Sequence, residues 1–162
     1  MSGVVVIGIG NVLHRDDGVG IHAVRRLRGS LPQKVELVEG GVLGLDLLPY
    51  LEGKEKAVFI DAVDAGEAPG AVFRFSPDQV PRAETPLPVS LHDLGLYDLV
   101  GAARLLGQCP REMVVIAVQV KELGVGSDLS PEVEAALPVV CRLVEEELGG
   151  AGEGRGKGAP LQ

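Results

Sequence analysis

The sequence predicts a single α/β domain of three layers, helices flanking a mostly parallel, twisted sheet of about five strands. Three observations carry this. Short apolar runs alternate with helical patterns along the chain; the runs lack strict in-out alternation, as strands covered on both faces do; and 162 residues suit one core, burying about two thirds of the unfolded surface.

The strands are VVVIGI at 4–9, VELVE at 35–39, AVFID at 57–61 and MVVIAV at 113–118, with AVFRF at 71–75 alternating more and placed at or near a sheet edge. After Asp17, Val19, Ile21, Ala23, Val24 and Leu27 recur at helical spacing up to Gly29. A short helix is expected from Gly44 to Leu51, and a longer one from Asp93, built on Leu94, Leu96, Tyr97, Leu99, Val100, Ala103 and Leu106 and closed by Gly107. Ser130-Pro131 opens the last helix, with serine as N-cap, proline at the first helical position and Glu132 and Glu134 near the positive end; it runs to about Leu148. The domain is therefore 1–148. The tail at 149–162, GGAGEGRGKGAPLQ, has too little apolar surface to offset its ordering entropy and is expected to be disordered. Residues 76–90 hold four prolines among polar residues, a long loop and thus a candidate functional element.

Composition narrows the function. Hydrophobic residues make up 46% and charged ones 23%, and no apolar run approaches the ~18 residues of a membrane span. The chain enters a strand almost at once, without a basic segment and cleavage site, so the cytoplasm is the expected location. A net charge of −8 argues against binding nucleic acid, which requires clustered Lys and Arg. Cys109 and Cys141 share no CxxC spacing and are expected to be buried free thiols.

The stretch GIGNVLHRDDGVG at 8–20 begins like a nucleotide-binding turn. A dinucleotide fingerprint needs a third glycine where this chain has Leu13; Glu39, at the end of the next strand, could meet the ribose requirement. Asp16 and Asp17 would repel a pyrophosphate by about 1 kcal/mol or more per close charge pair even when well solvated. A nucleotide-binding domain is thus the weaker reading.

Asp17 follows the first strand, Asp61 ends the third, and His92 stands at the entrance to the helix that starts near Asp93. In a parallel sheet these positions belong to the carboxyl edge, where such folds bind ligands, so three groups remote in sequence can share one crevice. Two carboxylates and an imidazole suit a borderline divalent ion such as nickel or zinc. The same residues also have plain structural uses: Asp17 and His92 as helix caps, Asp61 bonding a neighbouring turn. His14, His22, Asp16, Asp46 and Asp64 are assigned such structural roles.

Five motifs in order, GxGNxLxxDDGxG at 8–20, EGGxxGxDLL at 39–48, DAVDAGxxPG at 61–70, SLHDLGL at 90–96 and LSPEVEAALP at 129–138, resemble the hydrogenase maturation endopeptidases over residues 3–148. The resemblance implies an endopeptidase that removes the C-terminal extension of a nickel-iron hydrogenase large-subunit precursor after nickel insertion. It implies that Asp17, Asp61 and His92 are both metal ligands and catalytic residues. The nickel would arrive in the precursor, with zinc or cadmium able to occupy the site in vitro. No Ser or Cys beside a suitable His suggests an acyl-enzyme; the implied chemistry is direct hydrolysis, a carboxylate activating water or a metal polarising the scissile carbonyl. The chain departs from the family at Val42, where threonine is common, and at 119–128, QVKELGVGSD, where an acidic Pro-Glu segment is common. The competing reading from another class is a non-catalytic maturation factor that holds a metal or escorts a partner.

Overall fold

A computed structural model describes residues 3–77 and 93–149, with backbone only for 93–95. His92, most of the 76–90 loop and the tail from residue 150 lie outside the described residues. The five strands are β1 (Gly3–Ile9), β2 (Val35–Gly41), β3 (Lys54–Val63), β4 (Val72–Phe75) and β5 (Glu112–Gln119), in the order β2-β1-β3-β5-β4. All pairings are parallel except β4 on β5, which is antiparallel and places β4 at the edge. The helices are α1 (Val19–Leu27), α2 (Leu48–Leu51), α3 (Asp93–Leu105) and α4 (Pro131–Gly149).

Alternation along the strands divides the core in two. Val6, Val58, Ile60, Ile116 and Val118 face α1 and α4, burying Val24, Leu27, Leu137, Val140 and Val144. Val5, Ile7, Ile9, Phe59 and Val115 face the opposite layer, against Leu47, Leu51, Leu99 and Ala103. Both faces being covered is why the runs read as continuous rather than alternating. Among the described residues no helix is long and apolar enough to cross a membrane.

β3 starts three residues before its apolar run, in Lys54-Glu55-Lys56. Lys56 is 8% exposed and donates to the Glu147 carbonyl at 2.7 Å and to its carboxylate at 2.8 Å, and it pairs with Glu112 at 2.6 Å. Burial alone would push its ammonium down, but those partners outweigh it and hold Lys56 above the usual lysine value. Arg74 of β4 joins the same cluster through Glu146 and Glu147. The sheet thus extends through charged residues because Glu147 of α4, Glu112 of β5 and Glu36 of β2 supply their counter-ions. Pro138 lies inside α4, which continues through it; a proline there removes one backbone donor, and packing on both sides keeps the helix intact.

The segment after β1 holds a 3-10 turn, Arg15–Gly18, which sequence periodicity did not reveal; the chain then enters α1 without a side-chain cap. Its course is set by glycines that bring backbone against backbone. A Cβ on Gly20 would stand 2.3 Å from the Ile60 carbonyl oxygen and 2.5 Å from that of Ile9; one on Gly8 would stand 2.3 Å from the Gly20 carbonyl oxygen. Gly10, at φ +133°, leaves no room for a side chain beside the Asp17 carbonyl. Gly20→Ala should therefore cost about 2–3 kcal/mol, since the obstructing atoms are backbone and α1 must back away from the sheet. Gly101→Ala, on the exposed face of α3 with no atom within 4 Å of its added methyl, should be neutral or stabilising. Thermal unfolding of the two variants tests the contrast, and similar melting temperatures would refute it.

Candidate active site

Arg15 opens the 3-10 turn at φ +49°, a left-handed conformation that costs a non-glycine residue about 1–3 kcal/mol. Bonds to the loop after β5 offset this strain. The Arg15 N–H donates to the Gly126 carbonyl at 3.0 Å, its guanidinium reaches Glu122 at 3.0 Å, and the Gly126 N–H donates to the Leu13 carbonyl at 2.9 Å. Successive residues of a 3-10 helix diverge by about a third of a turn, so the adjacent acids face different surroundings.

Asp16 is fully buried and turned toward that loop. Its Oδ2 accepts the backbone N–H groups of Lys121 and Glu122 at 2.9 and 2.8 Å and the Ser130 hydroxyl at 2.8 Å; its Oδ1 accepts the Ser130 N–H at 2.7 Å. Burial alone would raise its carboxyl, but these donors outweigh it and hold Asp16 below the usual carboxylate value. Asp16 is a structural clamp joining the glycine turn to the start of α4. Ser130 does stand at the start of α4, its carbonyl accepting the Glu134 N–H, but its hydroxyl serves Asp16.

Asp17, 3% exposed, faces the other way, into a cleft of about 250 Å³ lined by Ile9, Asn11, His14, Gly41, Val42, Gly44, Leu47, Leu96 and Leu99 besides itself. Its Oδ2 accepts the Asn11 N–H at 3.0 Å, bracing the loop that leaves β1, and the N-cap position of α1 is held by Gly18. Asp61, also 3% exposed, sits one residue beyond the Ile60–Gly8 pair and level with Ala117 of β5. Its parity is that of Ala57 and Phe59, so it belongs to the sheet face covered by α2 and α3, the face on which the cleft opens. Its Oδ1 accepts the N–H of Ala62 at 2.8 Å. The 3-10 turn that carries Asp17 packs on β3, which carries Asp61. The structure therefore brings these two acids to one end of the sheet; His92 lies outside the described residues. Among the described residues no group of three His, Cys, Asp or Glu side chains forms a metal cage.

Three other expectations are corrected or sharpened. His14, given a structural role from sequence, stands at the N-cap position of the 3-10 turn and lines the cleft beside Asp17. Glu39, the acid that a dinucleotide site would need, is bound by Arg25 at 3.0 Å and Arg28 at 2.7 Å, both presented from the α1 end, and these arginines hold its carboxyl below the usual value. Cys109 and Cys141 are free thiols as expected, but half-buried rather than buried. Gln119, unremarked in the sequence, is 3% exposed and pins the turn three residues beyond Asp61: its Oε1 accepts the Ala65 N–H at 2.8 Å and its amide donates to Asp64 at 3.1 Å.

Comparison with known proteins places this site in context. The family model HycI, hydrogenase maturation protease, matches residues 21–147. The chain is 38% identical over 161 residues to the hydrogenase expression/formation protein HupD of Rhodobacter capsulatus, covering 98% of this chain and 77% of that one. It is 33% identical over 137 residues to the hydrogenase 2 maturation protease of Escherichia coli, covering 83% of each. Among solved structures, the hydrogenase maturating endopeptidase HybD from E. coli superposes with a TM-score of 0.81 at 30% identity, over 90% of this chain and 91% of that one. The [NiFe] hydrogenase maturation protease HybD from Thermococcus kodakarensis gives 0.77 at 28% identity, over 90% and 98%.

The division between the two acids predicts different losses. Asp16→Ala strands one buried and two part-buried backbone donors and should cost about 2–3 kcal/mol. The depressed carboxyl of Asp16 contributes stability that is complete above about pH 4 and lost as the pH falls through its folded value. A melting-temperature profile against pH should therefore show a shallower acid limb for Asp16→Ala than for the unmodified protein; parallel limbs would contradict the clamp.

Proposed function

The chain belongs to the hydrogenase maturation protease family, peptidases that process the C-terminus of hydrogenase large subunits, and on that premise we propose that it recognises the nickel already held by its precursor through Asp17, Asp61 and His92. The observation that supports this most directly is the placing of two buried carboxylates at the carboxyl edge of the sheet, one of them opening into a cleft. Burying ionised carboxylates is costly unless something favours the charged form. Backbone donors supply part of that here, through Asn11 for Asp17 and Ala62 for Asp61. Carboxylate oxygens with an imidazole nitrogen suit nickel among the divalent ions, with zinc or cadmium as substitutes.

In this reading the precursor brings both the scissile bond and the ion, and a bound nickel would polarise the neighbouring carbonyl. The protein's own residues position the reaction. Asp17, held by the Asn11 N–H, is the carboxylate within reach of a water in the cleft and accepts its proton as that water attacks; the proton then passes to the departing amine, so one water is consumed and two chains are released. Asp61 and His92 fix the ion relative to Asp17. Cys109 and Cys141 stay outside this chemistry, and as unpaired thiols they suit the reducing cytoplasm, where we place the reaction.

A non-catalytic escort would leave the precursor's mass unchanged, whereas a peptidase shortens it. Purified protein mixed with nickel-loaded and nickel-free precursor should cut the first and spare the second, as read by mass spectrometry; equal cutting of both defeats metal recognition. Asp17→Asn, Asp61→Asn and His92→Ala should each abolish cutting while retaining a cooperative thermal transition. Activity surviving all three would mean that the site is misassigned.

A further inference from the structure

β3 carries Asp61 past the point where the sheet holds it on both sides. Its pairing with β1 ends at Ile60, whereas its pairing with β5 continues through Asp61 to Val63. From Asp61 onward the strand is therefore held by β5 alone, and it then leaves the sheet in the connection 64–71 that leads to β4. The Asp61 carboxylate depends on this stretch directly, because its Oδ1 accepts the N–H of Ala62. A swing of the backbone after Asp61 turns that peptide and re-aims the acid.

One residue holds the connection at both ends. Gln119 closes β5 in register with Val63. Its backbone takes the far end, the Gly70 N–H donating to the Gln119 carbonyl at 2.9 Å and the Gln119 N–H to the Ala71 carbonyl at 2.8 Å. Its side chain takes the near end. Oε1 accepts the N–H groups of Ala65 at 2.8 Å and Glu67 at 3.3 Å, while Nε2 donates to Asp64 Oδ1 at 3.1 Å and to the Val120 carbonyl at 3.0 Å. Both acceptor sites and both donors of the amide are thus in use. The placing of its oxygen and nitrogen follows, since a reversed amide would set hydrogens against two N–H groups and an oxygen against two oxygens.

Nothing in the strand itself calls for an amide here. Gln119 is 3% exposed and lies between Val118 and Val120, both buried, so an apolar residue would serve the sheet equally well. Burying an amide is costly unless its bonds are made. Three of the four side-chain bonds go to the segment that follows Asp61. A carboxylate of the same length would repel Asp64 and the Val120 carbonyl, and a thioether would leave the N–H groups of Ala65 and Glu67 without their acceptor. The position requires a donor pair and an acceptor on one rigid plane.

We infer that Gln119 is a positioning residue of the peptidase: by fixing the connection after β3, it holds the Asp61 carboxylate at the angle at which that acid meets the precursor's ion, a role that rests on the assignment of Asp61 to the site. Gln119 acts through Asp61 and not by contact with the reacting atoms. Misplacing a group by about 1 Å can cost about a hundredfold in rate, so loosening this hold should show in kcat.

The test sets Gln119→Met beside Val140→Ala, a truncation where α4 packs on the sheet, at a temperature where both are folded. On nickel-loaded precursor Gln119→Met should lower kcat about a hundredfold and leave KM within about twofold. In the free protein the Ala62 amide proton, followed by NMR, should shift upfield as its bond to Asp61 lengthens. Val140→Ala should lower the melting temperature yet keep both kcat and the Ala62 resonance close to those of the unmodified protein. Gln119→Glu should lose activity as Gln119→Met does, and Gln119→Glu/Asp64→Asn should recover about tenfold of it, because an amide at position 64 then donates to the carboxylate at position 119. The assignment is overturned by a kcat for Gln119→Met within about threefold of that for Val140→Ala, by an unmoved Ala62 resonance, or by a double variant no more active than Gln119→Glu. If Gln119→Met does not fold, the comparison of Gln119→Glu with its double variant decides. Failure of the unmodified protein to cut loaded precursor removes the peptidase reading instead. The Ala62 resonance still reports whether Gln119 holds the Asp61 end, so the two failures are told apart.

Discussion

The structure depends on one constraint: the turn after β1 must lie with its backbone directly on the backbone of the sheet. Gly20 faces the carbonyls of Ile9 and Ile60, and Gly8 faces the carbonyl of Gly20, at separations where any side chain would collide. Three elements, β1, α1 and β3, are thereby locked at the one place where the strand order turns from β2 outward to β3 and β5. In doubly wound sheets that place is the ligand crevice. Here the lock brings a peptide rather than a side chain to the crevice floor, and the acid that follows is carried in with it. The glycines thus perform the packing task they have in nucleotide-binding turns, but the group delivered is a carboxylate.

The adjacent acids show how burial can be used in two ways. Asp16 is compensated by four donors from the loop after β5 and from Ser130, and its charge is spent on holding the turn. Asp17 faces an apolar cleft. Strain at Arg15, offset by Gly126 and Glu122, keeps the two apart in orientation. The clamp therefore fixes the angle at which Asp17 enters the cleft, and without it the 3-10 turn would be a short, uncapped segment with little to hold it.

Much of this was legible in the residues, and the parts that were not have physical causes. The strands could be read because both faces of the sheet are covered, which makes their runs continuous. The last helix could be read because Ser130-Pro131 and the following acids mark its start. β3 runs beyond its apolar segment because counter-ions on α4 and β5 neutralise Lys56, a long-range effect that no local pattern records. The 3-10 turn was missed because four residues give no periodicity. Glu39 looked available for a ribose because the arginines that bind it belong to the far end of α1, more than ten residues earlier in the chain. Asp17 and Asp61 could be paired from topology alone, since strand order and carboxyl-edge position suffice for that.

The apolar wall of the cleft and the carboxylates have different duties if the chain cuts only metal-bearing precursor. A contact can discriminate two forms of a partner only to the extent that it differs between them. Hydrocarbon packed on Ile9, Leu47, Leu96 and Leu99 would be the same whether or not nickel is present, so such contacts would raise affinity for both forms alike. The discrimination must then reside in groups that meet the ion, the carboxylates and the imidazole. A hundredfold preference needs only about 2.7 kcal/mol of difference, well within the reach of a carboxylate approaching a cation in a largely apolar cleft. Strong apolar gripping without this second element would hold nickel-free precursor as firmly and obstruct its loading. The small volume of the cleft limits that hazard, because it confines the grip to a few side chains and leaves the decision to the charged end.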